Sequence, residues 1–389
     1  MKKYDLIVIG AGIFGLTIAE RAANELNKKI LIVEKRNHIG GNSYSEKDPQ
    51  TGIECHKYGA HIFHTSDKNV WEYVNKFTDF TNYQHRVYSV HNNEVFPLPI
   101  NLGTINQFFH KNLSPNEAKA LIKEQAKEAP NNPKNLKEQG ISLIGKPLFE
   151  AFIMNYTAKQ WQTPAEELSP DIIKRLPVRY NYDNRYFSNT YEGLPKNGYK
   201  NFFENILKSN KNITIKLNTD YYKDKTLKEL TKNGVPTVFT GPIDQFFDYQ
   251  YGPLSWRSIT FEKEVLETPD YQGCPVMNYA DLEQSYTRII EFKHFHPERN
   301  YGEYAATATK TIVFKEFSKK WRLGDEPYYP IRTKDDLERL KQYQNLAKKQ
   351  KNVIFGGRLG EYAYYDMDAT FASALKTFKS KIVPLLTND

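Results

Sequence analysis

The segment GAGIFG at residues 10–15 sets Gly10, Gly12 and Gly15 in a G-x-G-x-x-G spacing, with Ile13 and Phe14 between the last two. Gly10 permits a tight turn, Gly12 lets main chain approach a pyrophosphate, and Gly15 lets helix pack on strand. The helix opening there presents free N–H groups and a partial positive charge to phosphates. Glu34 follows 19 residues after Gly15, where a carboxylate accepts hydrogen bonds from an adenosine ribose. Lys35 and Arg36 come next and would suit a 2′-phosphate, which Glu34 itself disfavours. A second pair, Gly40-Gly41 with Asn42, falls close enough to meet the same ligand, and a third, Gly356-Gly357, lies near the other chain end. A cofactor approached from both ends is long and buried, which favours FAD over a diffusing NAD.

Further groups suit a substrate. FIMNYTAKQWQTP (152–164) offers Tyr156, Thr157, Lys159 and Trp161. KRLPVRYNYDNRYF (174–187) is basic and aromatic, with Arg175 and Arg179 suited to bidentate phosphate contacts and Tyr182 and Tyr186 supplying hydroxyls. Such mixtures also occur in nucleic-acid binders, so this stretch leaves the partner open. Arg288 is either a ligand arginine or a solvated strand-face arginine. EPYYPI (326–331) holds Tyr328 and Tyr329 between prolines, and GGRLGEYAYYDMD (356–368) crowds Arg358, Tyr364, Asp366 and Met367 together. His56, His61 and His64 form no metal-ligand pattern with Cys55; they are expected on a loop facing the cofactor, with no metal.

These residues need elements to hold them. Leu6–Ile9 reads as a buried strand, Ile13 to about Leu26 as a helix and Ile30–Val33 as a second strand. SPNE at 114–117 is a capping box opening a helix that Pro130 ends. A later helix carries Leu148, Phe149, Phe152, Ile153 and Tyr156 on one face. Thr163-Pro164 with Glu166, and Ser169-Pro170, read as two more helix starts, so short helices through 160–180 suit a mobile lid. Residues 257–265, 286–295 and 310–317 mix β-branched, aromatic and charged residues, as in an antiparallel sheet with one wet face. A charged helix near 335–350, a strand Val353–Phe355 and a final helix near 369–380 return the chain to α/β.

The net charge of +8 comes from lysines and arginines scattered along the chain, which argues against a nucleic-acid tail. Two cysteines outside any CxxC signal neither a disulfide framework nor zinc, as expected in a reducing cytoplasm. No apolar run of about 18 residues predicts a membrane span, and no secretory signal is read at the start. A cytoplasmic, soluble chain is the expectation.

With GAGIFG, GGN, YGAHIFHT, NYTAKQW, KRLPVRYNYD, EPYYPI and GGRLGEYAYYDMD in this order, the chain resembles the bacterial-type UDP-galactopyranose mutase family over nearly its whole length. The resemblance implies an α/β fold: a Rossmann-like FAD-binding domain, an inserted helical domain and a six-stranded antiparallel sheet domain. Mapped onto this chain, those are 1–80, 206–245 and 332–389; 101–180 with its substrate lid; and 81–100, 181–205 and 246–331. It implies interconversion of UDP-galactopyranose and UDP-galactofuranose without net redox. Reduced FAD is the cofactor, flavin N5 the nucleophile at the anomeric carbon, and NAD(P)H the external reductant of a homodimer.

By the same resemblance, Arg175 and Arg288 clamp the diphosphate, Trp161 moves with the lid, and Phe152, Tyr156 and Thr157 form the uridine pocket. Tyr186, Tyr364 and Tyr329 or Tyr328 reach the diphosphate; His61 lies beside the flavin, Arg358 touches it, and Asp366 stands near both ligands. Ala60 replaces a proline common in the family and relaxes the backbone there. UDP-N-acetylgalactosamine is therefore a further candidate substrate. The alternative is an FAD-dependent oxidoreductase of amine-oxidase type, which shares the glycine motif and Glu34.

Overall fold

A computed structural model describes residues 4–173, 176–299 and 309–387. Its centre is a five-stranded parallel sheet in the order Val353–Phe355, Thr237–Phe239, Leu6–Ile9, Ile30–Val33 and Ile213–Lys216. Leu6, Ile7, Val8 and Ile9 are buried on both faces, which is why this strand reads as an unbroken apolar run. Helix Ile13–Leu26 covers one face together with Gly198–Lys208 and Met367–Thr377. Strands 6–9 and 30–33 and the first helix fall where the sequence predicts them.

The second sheet differs from the six antiparallel strands expected. Among the described residues it has seven strands, in the order Tyr329–Pro330, Trp256–Leu266, Thr311–Lys320, Arg288–Glu291, Val276–Tyr279, Val87–His91 and Glu94–Leu98. Val276–Tyr279 runs parallel to Val87–His91, so the 87–98 hairpin joins through one parallel pair. The run 286–295 leaves the sheet after Glu291. Phe292–Phe295 turns as a 3-10 helix, whose i, i+3 eclipse sends Phe292 and Phe295 together into the core.

The helical region has its own core of Ile105, Ile122, Leu136, Ile144, Leu148 and Phe149. Its capping box at Ser114 forms: the Ser114 side chain accepts from Glu117 N, and Glu117 Oε2 accepts from Ser114 N at 2.8 Å. Two expectations fail here. Thr163-Pro164 opens no helix; the Thr163 hydroxyl instead donates to Trp161 O at 3.1 Å and accepts from Arg257, while Glu166 pairs with Lys137. The backbone expected to be helical through 148–156 is so, but the one regular face fails: a π turn Glu150–Met154 lies between Lys146–Phe149 and Asn155–Trp161. A π turn inserts a residue and rotates the helix beyond it by about 100° relative to a continuous one. Phe152 and Tyr156 therefore no longer share one face.

Candidate active site

The parallel sheet ends at a cavity of about 820 Å³ that runs without interruption from Gly10 and Gly12 to Arg288 on the second sheet. At the first end Gly10 sits at φ +103, and a Cβ there would lie 2.0 Å from Thr240 Oγ1. A Cβ on Gly15 would meet Gly10 O at 2.1 Å, so both glycines are required by the fold itself. Gly12 is different. Its φ of −76 suits any residue, and the nearest atom to an added Cβ is Gly41 Cα at 3.9 Å. The glycine faces open space at a helix N-terminus, the cradle that a dinucleotide pyrophosphate needs.

Glu34 holds this cradle in shape. Its Oε2 accepts from Ala11 N at 2.8 Å and its Oε1 from Arg36 N at 2.9 Å, leaving lone pairs for a ribose. Lys35 and Arg36 pair with Glu326 at 3.0 and 2.8 Å, and Arg36 also donates to Asn42 Oδ1. These lysine and arginine charges are balanced by a carboxylate from the loop before EPYYPI's tyrosines. Gly40, Gly41 and Asn42 line the same cavity, as do Ile13, Phe14, Gly357, Arg358, Asp366 and Met367. Gly356 has a reason the sequence does not show: a Cβ there would lie 2.1 Å from the Phe14 ring.

At the far end Arg288 and Glu316 are direct cross-strand partners. Arg288 Nε lies 3.2 Å from Glu316 Oε1, with its N–H turned off the hydrogen-bond direction. Burial lowers the Arg288 pKa, but Glu316 and the tyrosines around it win and raise it, so the guanidinium stays charged. Tyr329 is raised to about 12 by burial and by Glu316, against the pull of Arg288 and Arg358. Tyr329 also stacks on Tyr364, with ring centroids 5.7 Å apart. Tyr328, one residue earlier, lies among Arg36, Tyr58 and Glu326. The strand begins at Tyr329, and the two side chains diverge there: Tyr329 turns to Arg288, and Tyr328, just before the strand, to the dinucleotide end. Tyr156 and Tyr186 join Arg288 at the cavity wall.

Several predicted residues stand elsewhere. Phe152 packs in the helical core against Phe96, at 5.0 Å between centroids, and Phe108, because the π turn aims it there. Thr157 is buried and Trp161 packs against the same core; neither lines the cavity. Arg179 does not line the cavity: its Nη1 donates to the carbonyls of Asp183 and Arg185. Tyr182 is exposed outside the cavity. Arg175 lies outside the described residues. His61 and His64 line the cavity, but His56 does not face it. His56 is buried between Tyr199 and Phe295, and its Nδ1 accepts from His61 N at 3.0 Å.

Three cavity residues carry little signal in the sequence. Glu316 is one more strand carboxylate until pairing places it opposite Arg288. Asn278, whose Oδ1 is buried without a hydrogen-bond partner, lies on the strand beside Arg288. His85 is buried, with Nδ1 3.0 Å from the Tyr83 hydroxyl. Alternation in the run 85–90 is the only available signal. Burial lowers His85 to about 3, helped by Arg288 and His64, and lowers His61 to about 4 against a bond to the Gly59 carbonyl.

Both histidines are therefore neutral near pH 7. Their folded pKa values lie below the ordinary value near 6.5, so the unfolded chain takes up protons first as pH falls. The stability they contribute is complete above about pH 6.5 and is lost progressively down to about pH 4 for His61 and about pH 3 for His85. Melting temperatures are expected to fall across that window, and more shallowly for a His85→Asn variant. Parallel curves for the two proteins would show that His85 is not held neutral.

A doubly anchored α/β protein with a dinucleotide cradle facing a paired arginine is the class that this geometry defines. A family profile described as UDP-galactopyranose mutase matches residues 151–364, and one described as an NAD(P)-binding Rossmann-like domain matches residues 8–77. A probable UDP-galactopyranose mutase of Klebsiella pneumoniae is 44% identical over 97% of this chain and 94% of its own length. A dTDP-fucopyranose mutase of Escherichia coli is 39% identical over 95% and 96%. A crystal structure of a reduced UDP-galactopyranose mutase superposes with a TM-score of 0.73 at 14% identity, covering 100% of this chain and 97% of that one. The chain belongs to the UDP-galactopyranose mutase family, and it is an isomerase rather than an amine-oxidase-type oxidoreductase. Family and Rossmann-like domain together imply a flavin. Among the described residues no helix is long and apolar enough to cross a membrane.

Proposed function

We propose that this enzyme interconverts UDP-galactopyranose and UDP-galactofuranose with reduced FAD bound along the cavity. The observation that carries the reading is the continuity of that cavity: Gly10 and Gly12 line one end and Arg288, Tyr156, Tyr186 and Tyr329 the other, which supports a dinucleotide at the first and a second phosphate ligand at the other. Gly12, Gly41, Glu34 and Asn42 would hold the adenosine diphosphate part of FAD, with Gly357, Arg358, Asp366 and Met367 toward the flavin. Reduced FAD supplies an N5 nucleophile for the anomeric carbon, with no net change in oxidation state.

The protein's own groups deal with the nucleotide. Arg288 neutralises the UDP diphosphate as its bond to the sugar lengthens, which favours the charge-separated state over the ground state. Tyr329, Tyr364, Tyr186 and Tyr156 donate hydroxyl hydrogen bonds around it, and the family resemblance supports Arg175 as the second arginine. Glu316 keeps Arg288 oriented while the site is empty of nucleotide. His61 gives its N–H to His56, which leaves its carbonyl as the main-chain group for the flavin. An external donor such as NAD(P)H keeps the flavin reduced.

The Escherichia coli relative motivates a second reading, in which a dTDP-linked 6-deoxy sugar is the substrate. Chromatography of reaction mixtures compares the furanose forms of UDP-galactose, dTDP-fucose and UDP-N-acetylgalactosamine at equal reduced enzyme. The proposal expects the highest kcat/KM for UDP-galactofuranose. A preference for dTDP-fucofuranose would replace it with the second reading. Conversion of the N-acetyl sugar within about tenfold of UDP-galactofuranose would bear out the relaxed loop at Ala60.

A further inference from the structure

Lys159 lies on Asn155–Trp161, the helix that carries Tyr156 and Gln160 to the cavity wall. Its Nζ lies 2.7 Å from Tyr279 O, 2.7 Å from Asp281 O, 3.0 Å from Gln284 O and 3.2 Å from Tyr286 O. An ammonium has three N–H donors, so four converging carbonyls use all of them and leave none for a substrate. Three of the oxygens belong to the connection between strands Val276–Tyr279 and Arg288–Glu291, and the fourth is that of Tyr279, where the first strand ends. Those strands bring Asn278 and Arg288 to the same cavity.

The loop is also tied from its other side. The Asp281 carboxylate accepts from His91 Nδ1 at 2.6 Å and from Asn92 N at 2.8 Å, and Tyr279 N donates to Thr287 O. Its attachment to the sheet therefore does not depend on Lys159. The contribution of Lys159 is the link between this loop and the substrate helix. Burial lowers Lys159 to about 8, against the pull of Asp281 and Glu283, so the ammonium form still predominates at pH 7.

We infer that the 279–286 loop is a main-chain carbonyl site for a monovalent cation, filled here by the tethered ammonium of Lys159, which positions Tyr156 and Gln160 against Arg288 and Asn278. Carbonyl rings of this kind replace the hydration shell of K⁺, and ammonium ion presents the same charge with directed donors. Shortening the side chain vacates the site without removing any of the four oxygens. Lys159 is thus a positioning residue, and its role in the reaction rests on the nucleotide-sugar reading of the cavity. Occupation of the carbonyl site does not.

The test separates the two. Lys159→Ala is melted without nucleotide in K⁺, NH₄⁺, Li⁺ or tetramethylammonium chloride at equal ionic strength. The melting temperature is expected to rise with K⁺ and NH₄⁺ only, while wild type responds alike to all four. Equal responses of Lys159→Ala to every salt would overturn the cation site. With reduced flavin bound, the same variant is expected to show a KM for the nucleotide sugar raised about tenfold, kcat changed less, and KM restored by NH₄⁺. Lys159→Met keeps the stem, leaves no room for an ion and should show the raised KM with no rescue. A wild-type KM in Lys159→Met would overturn the positioning role even if the ion-dependent melting is observed. Flavin absorbance should be unchanged in both variants.

Discussion

Arg288→Ala is expected to lose turnover by about 10²–10³-fold while retaining its flavin, the scale seen when a preorganised group at a developing charge is removed. The glycine cradle and Arg288 stand at opposite ends of the cavity, so truncating the arginine leaves the dinucleotide end intact. It also strands Glu316, which is buried at 4% exposure and then keeps, among the described residues, the Thr287 hydroxyl at 3.2 Å. An unpaired carboxylate there should cost on the order of 2–3 kcal/mol, below the figure for a fully enclosed pair because Arg288 itself faces the cavity. Arg288→Ala with Glu316→Gln should regain much of that stability and none of the turnover. Steady-state kinetics, flavin absorbance and thermal melting read the three effects separately. Loss of flavin from the single variant would contradict the placement of Arg288 at the substrate end.

Gly12→Val is the second large effect, and it acts at the other end. The added Cβ meets Gly41 Cα at 3.9 Å, an ordinary contact on a backbone of ordinary φ, so the protein should fold. Its γ carbons would enter the space that a pyrophosphate requires. The expected product is a folded, colourless protein with flavin affinity weakened by about 10³-fold or more, through lost phosphate contacts and direct overlap. Gly15→Val is the contrasting change: its Cβ overlaps Gly10 O and Val8, and misfolding is expected. Circular dichroism and flavin fluorescence distinguish the two. A yellow Gly12→Val protein would show that the cofactor does not cross Gly12.

Much of the dinucleotide half is legible in the sequence because local rules dictate it. Leu6–Ile9, Ile13–Leu26 and Ile30–Val33 form as expected, since a buried parallel strand, a glycine turn and a helix start each have a short-range signature. The third glycine pair reads as a cofactor approach. Gly357 lines the cavity, but Gly356 is small because Phe14, some 340 residues away in sequence, occupies the space. Packing between distant segments leaves no local signature.

The substrate half shows where residue patterns stop. Arg288 is recognisable only as a candidate, because its meaning depends on Glu316 lying opposite it, and register is set by the whole sheet. The single helix expected through 148–156 would place Phe152 beside Tyr156. A π turn separates them, sending one to the helical core and the other to the cavity. Nothing in helix propensity marks such an insertion. Tyr328 and Tyr329 diverge where a strand of two residues begins, and so short a strand leaves no alternation from which to tell them apart.

The central claim is that one cavity holds a reduced flavin and a nucleotide sugar and isomerises the sugar with no net electron transfer. The most direct measurement follows flavin absorbance and product together, anaerobically, after mixing flavin-loaded enzyme with UDP-galactofuranose. Dithionite-reduced enzyme should form UDP-galactopyranose over many turnovers with its flavin still reduced at the end, and oxidised enzyme should form none. Flavin reoxidation in proportion to substrate consumed, or equal conversion by the oxidised enzyme, would contradict the account.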